Sequence, residues 1–482
     1  MSPRPRSRSQ AAGPARVLVL GSGGREHALA WSLAREADVE SVIVAPGSHA
    51  IDEERKVRCV PDVSALDPKA VLALAKAEKA DLVVVGPEAP LAAGVADPLV
   101  KARIPCFGPV RAAARIESSK SFCRDVAAAA KVRMARGGSF SELEPALEFA
   151  ASLAGARGSR GVVVKADGLA AGKGVTVCDD LAGAEKALRA LFADLPGERA
   201  KMAGKGEAQP VVVLEERLVG LEASLIAICD GRNALALPAA RDHKRLLDGD
   251  EGPNTGGMGA YSPVPDMPES LSATLLDTIH EPVLAELARR GTPFHGALYA
   301  GLMLTPEGPV LLEFNARFGD PEAQAILPRL SVPLGPLLLA AAKGNLAAAA
   351  SELRLRSMIL PTTGDAAVAV VLAAAGYPEK PRKGDVIDGL DEAARAGGTI
   401  FHAGTVQDDE GRYRTNGGRV MAVVGLGSSL AAARAEAERA ADRVRWDGMQ
   451  RRHDIAARLP AAASESAAQP ISPGWAAAEE RS

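Results

Sequence analysis

Four times within the first 110 residues a short apolar run stops at a glycine-containing turn. The runs are Val17–Leu20 before Gly21, Ser41–Ala45 before Pro46-Gly47, Asp81–Val85 before Gly86, and Pro105–Phe107 before Gly108. Helical stretches such as Pro68–Glu78 separate them. Strands alternating with helices predict a parallel α/β sheet, because apolar strands need crossover helices on both faces. Such sheets gather ligands at the carboxyl ends of their strands. The Gly21 and Gly86 turns are therefore expected in one crevice.

A helix is expected near Ser118–Ala130. Beyond it, Gly161–Lys165 and Val175–Cys178 flank a glycine-rich turn and read as a hairpin. Further strands are predicted at Val211–Glu215, Ala223–Cys229, Ala297–Leu304, Val310–Phe314, Ala367–Leu372, Thr399–Phe401 and Val420–Val424, with a helix over about Ser429–Arg445. At roughly 100–200 residues per domain, 482 residues allow about three or four units. With 57 Lys+Arg against 60 Asp+Glu and 3% aromatics, the chain lacks the basic excess and stacking surface that nucleic-acid binding needs. The longest apolar run, Leu334–Ala342, ends at Lys343, well short of the ~18–20 residues that cross a bilayer. Five scattered cysteines without a Cys-x-x-Cys pair read as buried thiols in a reducing compartment. Residues 1–15 and 459–482 are expected to be disordered tails, since neither carries apolar periodicity.

The chemistry concentrates in a few strings. Gly21-Ser-Gly-Gly24 after a strand resembles a dinucleotide turn, but Glu26 stands where the third glycine belongs and the second strand ends without an acid. A single phosphate on the turn amides, with Arg25 adding charge, is the better expectation. Lys165-Ala-Asp-Gly168 and Gly172-Lys173-Gly174 form a two-lysine turn suited to polyphosphate; it is not a Walker loop, because Val175 continues as strand. Glu313 and Asn315, at i and i+2, share one strand face and offer hard oxygens to magnesium, with Arg317 continuing that face. Asp242-His-Lys-Arg245 and the loop Gly252–Gly259 complete the set, with His243 read as an orienting hydrogen-bonder.

These strings occur together in one family. With Gly21–Ala28, Val85–Leu91, Lys165–Gly174, Gly252–Ser262, Tyr299–Met303, Glu313–Glu322 and Thr415–Val420 in order, the chain resembles the glycinamide ribonucleotide synthetases, which are ATP-grasp enzymes. The resemblance implies a Rossmann-like N-terminal domain over 16–117 and an ATP-grasp domain over 118–345, with lobes meeting near 210. A small α+β barrel-like domain would follow over 346–458. It implies ligation of glycine to 5-phosphoribosylamine through glycyl phosphate, with ATP and Mg2+ or Mn2+, in the cytoplasm. A monomer with no nucleic-acid or membrane partner is expected, able to channel to neighbouring purine enzymes. Lys120, Lys165, Gly172, Lys173 and Gly174 would meet the ATP phosphates, Glu215, Glu216 and Leu218 the adenine, and Glu222 the ribose. Glu313 and Asn315 would hold the metal, with Arg317, Lys165, Asp242 and Lys244 as catalytic groups. Gly23, Gly24, Arg25, Glu26, Pro87, Glu88, Asn254, Gly256, Gly257, Arg317 and Asp320 would bind the other substrates. The family commonly has Gln where this chain has Arg241. A non-catalytic relative would be expected to have lost some of Lys165, Glu313, Asn315 or Arg317, and all are present.

Overall fold

The computed structural model describes residues 13–168, 174–193 and 212–460. The tip of the two-lysine turn, with Gly172 and Lys173, and most of both tails lie outside them. The five N-terminal strands form one parallel sheet in the order Val57–Cys59, Ser41–Pro46, Arg16–Gly21, Leu82–Val85, Cys106–Phe107. Every residue from Val17 to Leu20 and from Leu82 to Val85 is buried, as a sheet covered on both faces requires. Leu20 pairs with Val85, so the Gly21 and Gly86 turns adjoin, as the alternation predicted.

Two antiparallel four-stranded sheets follow. One runs Gly137–Phe140, Val212–Glu216, Val162–Ala166, Val175–Cys178, so the expected hairpin forms with Lys165 opposite Val175. Its small separate core draws on helices Leu143–Ala154 and Leu181–Ala193, neither of which the sequence reading named. The other sheet runs Ala234–Ala236, Leu221–Asp230, His295–Thr305, Gly308–Asn315. The helix expected at 118–130 is Lys120–Ala129, capped by the Ser119 hydroxyl accepting from the Phe122 amide; a separate helix not named from sequence, Arg111–Ser118, stops at extended Ser119 just before it.

The last large sheet crosses the boundary drawn at residue 346. Its order is Arg241–Asp242, Gly259–Ser262, Ala366–Ala373, Arg419–Gly427, Thr399–His402. The 252–259 segment, read as loop, contains a strand, Glu251–Asn254, paired with Arg245–Leu247 in an exposed ribbon. The residues that follow become a buried strand whose Gly259 faces Val370. Helix Leu430–Ala441 covers this sheet, ending short of Arg445. No helix among the described residues is long and apolar enough to cross a membrane.

Cys106, Cys123, Cys178 and Cys229 are buried free thiols, and burial pushes Cys106 and Cys123 up to about 12. Cys59 departs from the pattern, being half-buried beside the Ser48 carbonyl.

Two buried histidines give a pH prediction. Burial lowers His280 to about 4 and His402 to about 3. Unfolding lets each bind a proton below its ordinary value of ~6.5, so their contribution is complete above that pH and is lost as pH falls toward 4. His280→Leu should flatten the fall in melting temperature between pH 6.5 and 4. Parallel curves for variant and wild type would show that His280 does not titrate on unfolding.

Candidate active site

Lys165 lies in a strand of one four-stranded sheet and reaches the other. Its ammonium is 2.6 Å from Glu215 Oε2 and donates to the Leu312 carbonyl at 3.3 Å. Burial opposes its charge, but Glu215 and Glu313 outweigh that and hold it protonated, above the usual lysine range. Arg124 takes the other Glu215 oxygen at 2.6 Å. The Glu215 carboxylate is thus committed to cations. The Glu216 carboxylate accepts from the Arg136 amide, and Leu218 lies just past the strand end. Lys120 opens its helix with its ammonium on the Gly168 carbonyl at 2.9 Å. Asp167 caps that helix from outside, accepting from the Lys120 amide and the Ser121 hydroxyl. Gly174 is the first described residue on the far side of the turn.

Glu313 and Asn315 pair across to Gly301 and Tyr299, half-buried on one strand face. No hydrogen bond or ion pair holds either side chain among the described residues. No group of three or more His, Cys, Asp or Glu residues suited to a metal occurs there either. One carboxylate and one amide oxygen therefore fit magnesium only as part of a shell shared with nucleotide phosphates and water.

Asp242, Lys244 and Glu222 come together, with the Lys244 ammonium 3.1 Å from Asp242 and also on Glu222. Burial opposes the Lys244 charge, and Asp242 and Glu222 overcome it, leaving Lys244 well above its usual range. Behind them Glu322 accepts from Tyr299 at 2.9 Å and Ser224 at 3.2 Å, and burial followed by the nearby Asp242 charge raises its carboxyl. Arg241 turns away into a two-pronged pair with Asp266, 2.8 Å on each prong, and donates to Tyr261. The departure at this position is structural, since Arg241 carries its own counterion. His243 lies 3.7 Å from Asp250, apart from both cations beside it in sequence.

At the N-terminal sheet the Arg25 and Glu26 side chains are buried. Gly23 caps helix Gly24–Ala34, and its amide donates to Glu26 Oε2 at 2.7 Å. Glu26, expected to meet substrate, is buried in the space left by glycine: a Cβ on Gly86 would lie 2.2 Å from Oε1, and one on Gly21 would meet the Glu26 side chain at 2.5 Å. Arg25, expected to add charge to a phosphate site, turns inward onto Glu26 at 2.6 Å and the Phe318 carbonyl at 3.1 Å. A helix start already holding a carboxylate loses part of its pull on a second anion. The Gly24 and Arg25 amides, in a first turn without intrahelical partners, remain donors.

Facing this turn, Arg317 lies 3.5 Å from Glu88, which follows Pro87 at the start of helix Glu88–Ala93, and 3.2 Å from Glu117. Burial works to raise both carboxyls; Arg317 and Arg25 override it at Glu88, which sits low, whereas burial wins at Glu117, which sits high. Asp320 is bonded by Gln324 at 2.7 Å and paired with Arg419 at 3.1 Å. Gly256 and Gly257 pack against Arg419 and Pro321, while Asn254 stays exposed on the ribbon outside this group.

The whole chain can be compared with known proteins. Residues 15–117, 118–323 and 367–458 match the N, ATP-grasp (A) and C domains described as phosphoribosylglycinamide synthetase. The chain belongs to the phosphoribosylglycinamide synthetase family. Among its relatives, the phosphoribosylamine–glycine ligase of Streptomyces coelicolor is 48% identical, covering 93% of this chain and 100% of that protein. That of Caulobacter vibrioides is 44% identical over 91% and 97%. The solved structure of the Thermotoga maritima phosphoribosylamine–glycine ligase overlays with a TM-score of 0.74 at 33% identity, covering 91% of this chain and all of that one. The Hydrogenobacter thermophilus 2-oxoglutarate carboxylase biotin carboxylase domain, bound to MgADP, shares the fold at TM-score 0.64 and 15% identity over 91% of this chain and 92% of that one.

Several residues of this candidate site were not singled out from sequence: Arg124, Asp167, Glu117, Tyr299, Glu322, Tyr377 and Arg419. Tyr299, Glu322 and Arg419 stand inside quoted strings, and their signal was a charge or hydroxyl beside a glycine or apolar run.

Proposed function

We propose that this chain catalyses the ATP-dependent ligation of glycine to 5-phosphoribosylamine, the purine-biosynthetic step yielding glycinamide ribonucleotide, ADP and phosphate. A glycine carboxylate oxygen attacks the γ-phosphorus of ATP and the bond to ADP breaks. The phosphoribosylamine nitrogen then attacks the acyl carbon, phosphate leaves, and the amide nitrogen gives up a proton. The observation that carries the reading is the position of Arg317. It follows the Glu313–Asn315 pair by two residues and touches Glu88 at the end of the N-terminal sheet, so one guanidinium spans the phosphoryl side and the acceptor side.

In this reading Lys120, Lys165 and the Gly172–Gly174 turn hold the ATP phosphates, Glu216 and Leu218 offer backbone to adenine, and Glu222 takes the ribose while Lys244 balances its charge. Glu313 and Asn315 would hold magnesium, which when bound neutralises charge shared between the phosphates; the same hard oxygens suit manganese. Gly23, Gly24, Pro87, Glu88 and Asp320 form the phosphoribosylamine side, with Arg25 and Glu26 shaping it from behind. We place domain boundaries near 117 and 345, and infer a cytoplasmic monomer acting on small molecules; sedimentation tests the monomer. ADP release should require ATP, glycine and freshly made phosphoribosylamine together. Sustained release with phosphoribosylamine omitted would overturn the assignment.

Gly24→Val tests the acceptor side. A Cβ there would lie 2.7 Å from Gln324 Nε2, the atom that holds Asp320. The KM for phosphoribosylamine should rise about tenfold or more while that for ATP stays within about twofold, a difference of only ~0.4 kcal/mol. Loss of ATP affinity alone would instead point to a nucleotide on this turn.

A further inference from the structure

We propose that Arg419 is a positioning residue of the phosphoribosylamine subsite, through which the C-terminal segment holds Asp320 and the glycine-rich loop against the Gly23–Gly24 turn. The inference rests on the function proposed above. Three acceptors converge on this guanidinium: the Gly256 carbonyl and the Asp320 carbonyl, both 2.6 Å from one terminal nitrogen, and the Asp320 carboxylate 3.1 Å from the other. The Gly256 amide is held as well, donating to the Tyr377 hydroxyl at 2.9 Å. Both polar groups of one loop peptide position are therefore bound by side chains more than a hundred residues further along the chain.

The local sequence is built for this approach. A Cβ on Gly418 would sit 2.4 Å from the Tyr377 ring, and one on Gly417 would sit 2.9 Å from Gly404 Cα, so the Gly417-Gly418 pair lets Arg419 and Tyr377 close on the loop side by side. On the loop, Gly257 has φ +111°, and its Cβ would strike Pro321 at 2.6 Å. Asp320 Oδ2 lies 3.9 Å from the Cβ position of Gly23, so the clasped carboxylate borders the turn. A fixed carboxylate beside that turn can accept from sugar hydroxyls, and its orientation decides whether it does. A lysine cannot replace the clasp, because a point-charge ammonium does not present the planar fork that serves two carbonyls and a carboxylate at once.

The test uses the full-length enzyme with Arg419→Ala, Arg419→Lys and Tyr377→Phe, reading kcat, the KM of each substrate and the melting temperature. Arg419→Ala should raise the KM for phosphoribosylamine about tenfold or more and leave that for ATP within about twofold. Added guanidinium chloride at low concentration should recover part of the loss. Arg419→Lys should fall between Ala and wild type, and Tyr377→Phe should move the same constant by about threefold. Equal rises in the constants for ATP and phosphoribosylamine, or a lowered melting temperature with all constants unchanged, would overturn the role. Should Arg419→Ala fail to fold, the Lys and Phe variants decide it alone. A wild-type enzyme inactive with all three substrates would refute the proposed function itself, which separates the two failures.

Discussion

Glu313→Gln is expected to lower turnover at least about a hundredfold, a loss of ~2.7 kcal/mol of transition-state stabilisation, while the protein stays folded. The change keeps size and shape and removes one charge. The Glu313 charge is one of two carboxylate charges that favour protonated Lys165, but Glu215 is the larger influence and pairs with Lys165 directly at 2.6 Å, so the fold keeps its main partner for that lysine. The metal shell has much to lose, because the neighbouring donor, Asn315, is neutral and no carboxylate cluster among the described residues stands by to substitute. Steady-state rates at saturating magnesium, with circular dichroism as the fold control, make the check. Retention of more than about a tenth of the wild-type rate, an effect under ~1.4 kcal/mol, would refute the metal assignment.

Arg317→Met should abolish turnover and also destabilise the protein by about 3 kcal/mol, since removing one partner of a buried pair strands the other. Glu88 keeps Arg25 nearby, so the group left most stranded is Glu117, whose carboxyl burial already raises and which also accepts from the Ala316 amide at 2.8 Å. The pH dependence follows from that direction. A carboxyl with a raised folded value binds its proton more tightly in the native state, so stability falls as pH climbs from ~4.3 through the raised value. Without Arg317 the raised value climbs further, and Arg317→Met should be most destabilised on the alkaline side. Adding Glu117→Gln should restore much of the melting temperature and none of the turnover. Recovery of turnover in the double variant would show that Arg317 acts only by neutralising Glu117.

The two predictions differ in how visible their residues were in the sequence. Glu313 and Asn315 could be read because a strand's period of two puts i and i+2 on one face, and the flanking Val310-Leu-Leu312 and Phe314 gave the strand away. Four of the five strands of the parallel sheet were legible as apolar runs closed by a glycine-containing turn, whereas Val57–Cys59, an edge strand with Arg58 at its centre and no glycine after it, was not. Glu117 was not legible: it ends a helix nearly two hundred residues before Ala316, and nothing local marks it as a partner. The burial of Glu26 was not legible, because the sequence gives a carboxylate beside a glycine turn without its direction. The absent side chains of Gly21 and Gly86 open the space into which it folds. The Gly252–Gly259 stretch was read as a ligand loop, but Glu251–Asn254 pairs in a ribbon and Gly259 opens a strand that needs Ala366–Ala373, residues too distant for any periodicity to connect.

That last pairing bears on how such an enzyme can be rearranged. Because Arg241–Asp242 and Gly259–Ser262 both belong to the sheet of the C-terminal segment, the ATP-grasp portion owns two strands of its neighbour's framework, Gly259–Ser262 being the one that pairs with Ala366–Ala373. A graft that exchanged everything after residue 345 for the equivalent stretch of a relative would have to supply an edge in register with that strand. It would also need an arginine that arrives at the Gly256 carbonyl. The segments behave less like interchangeable cassettes than like two halves of a mortise joint, and recombination between homologues should survive only where both halves travel together or match at the seam.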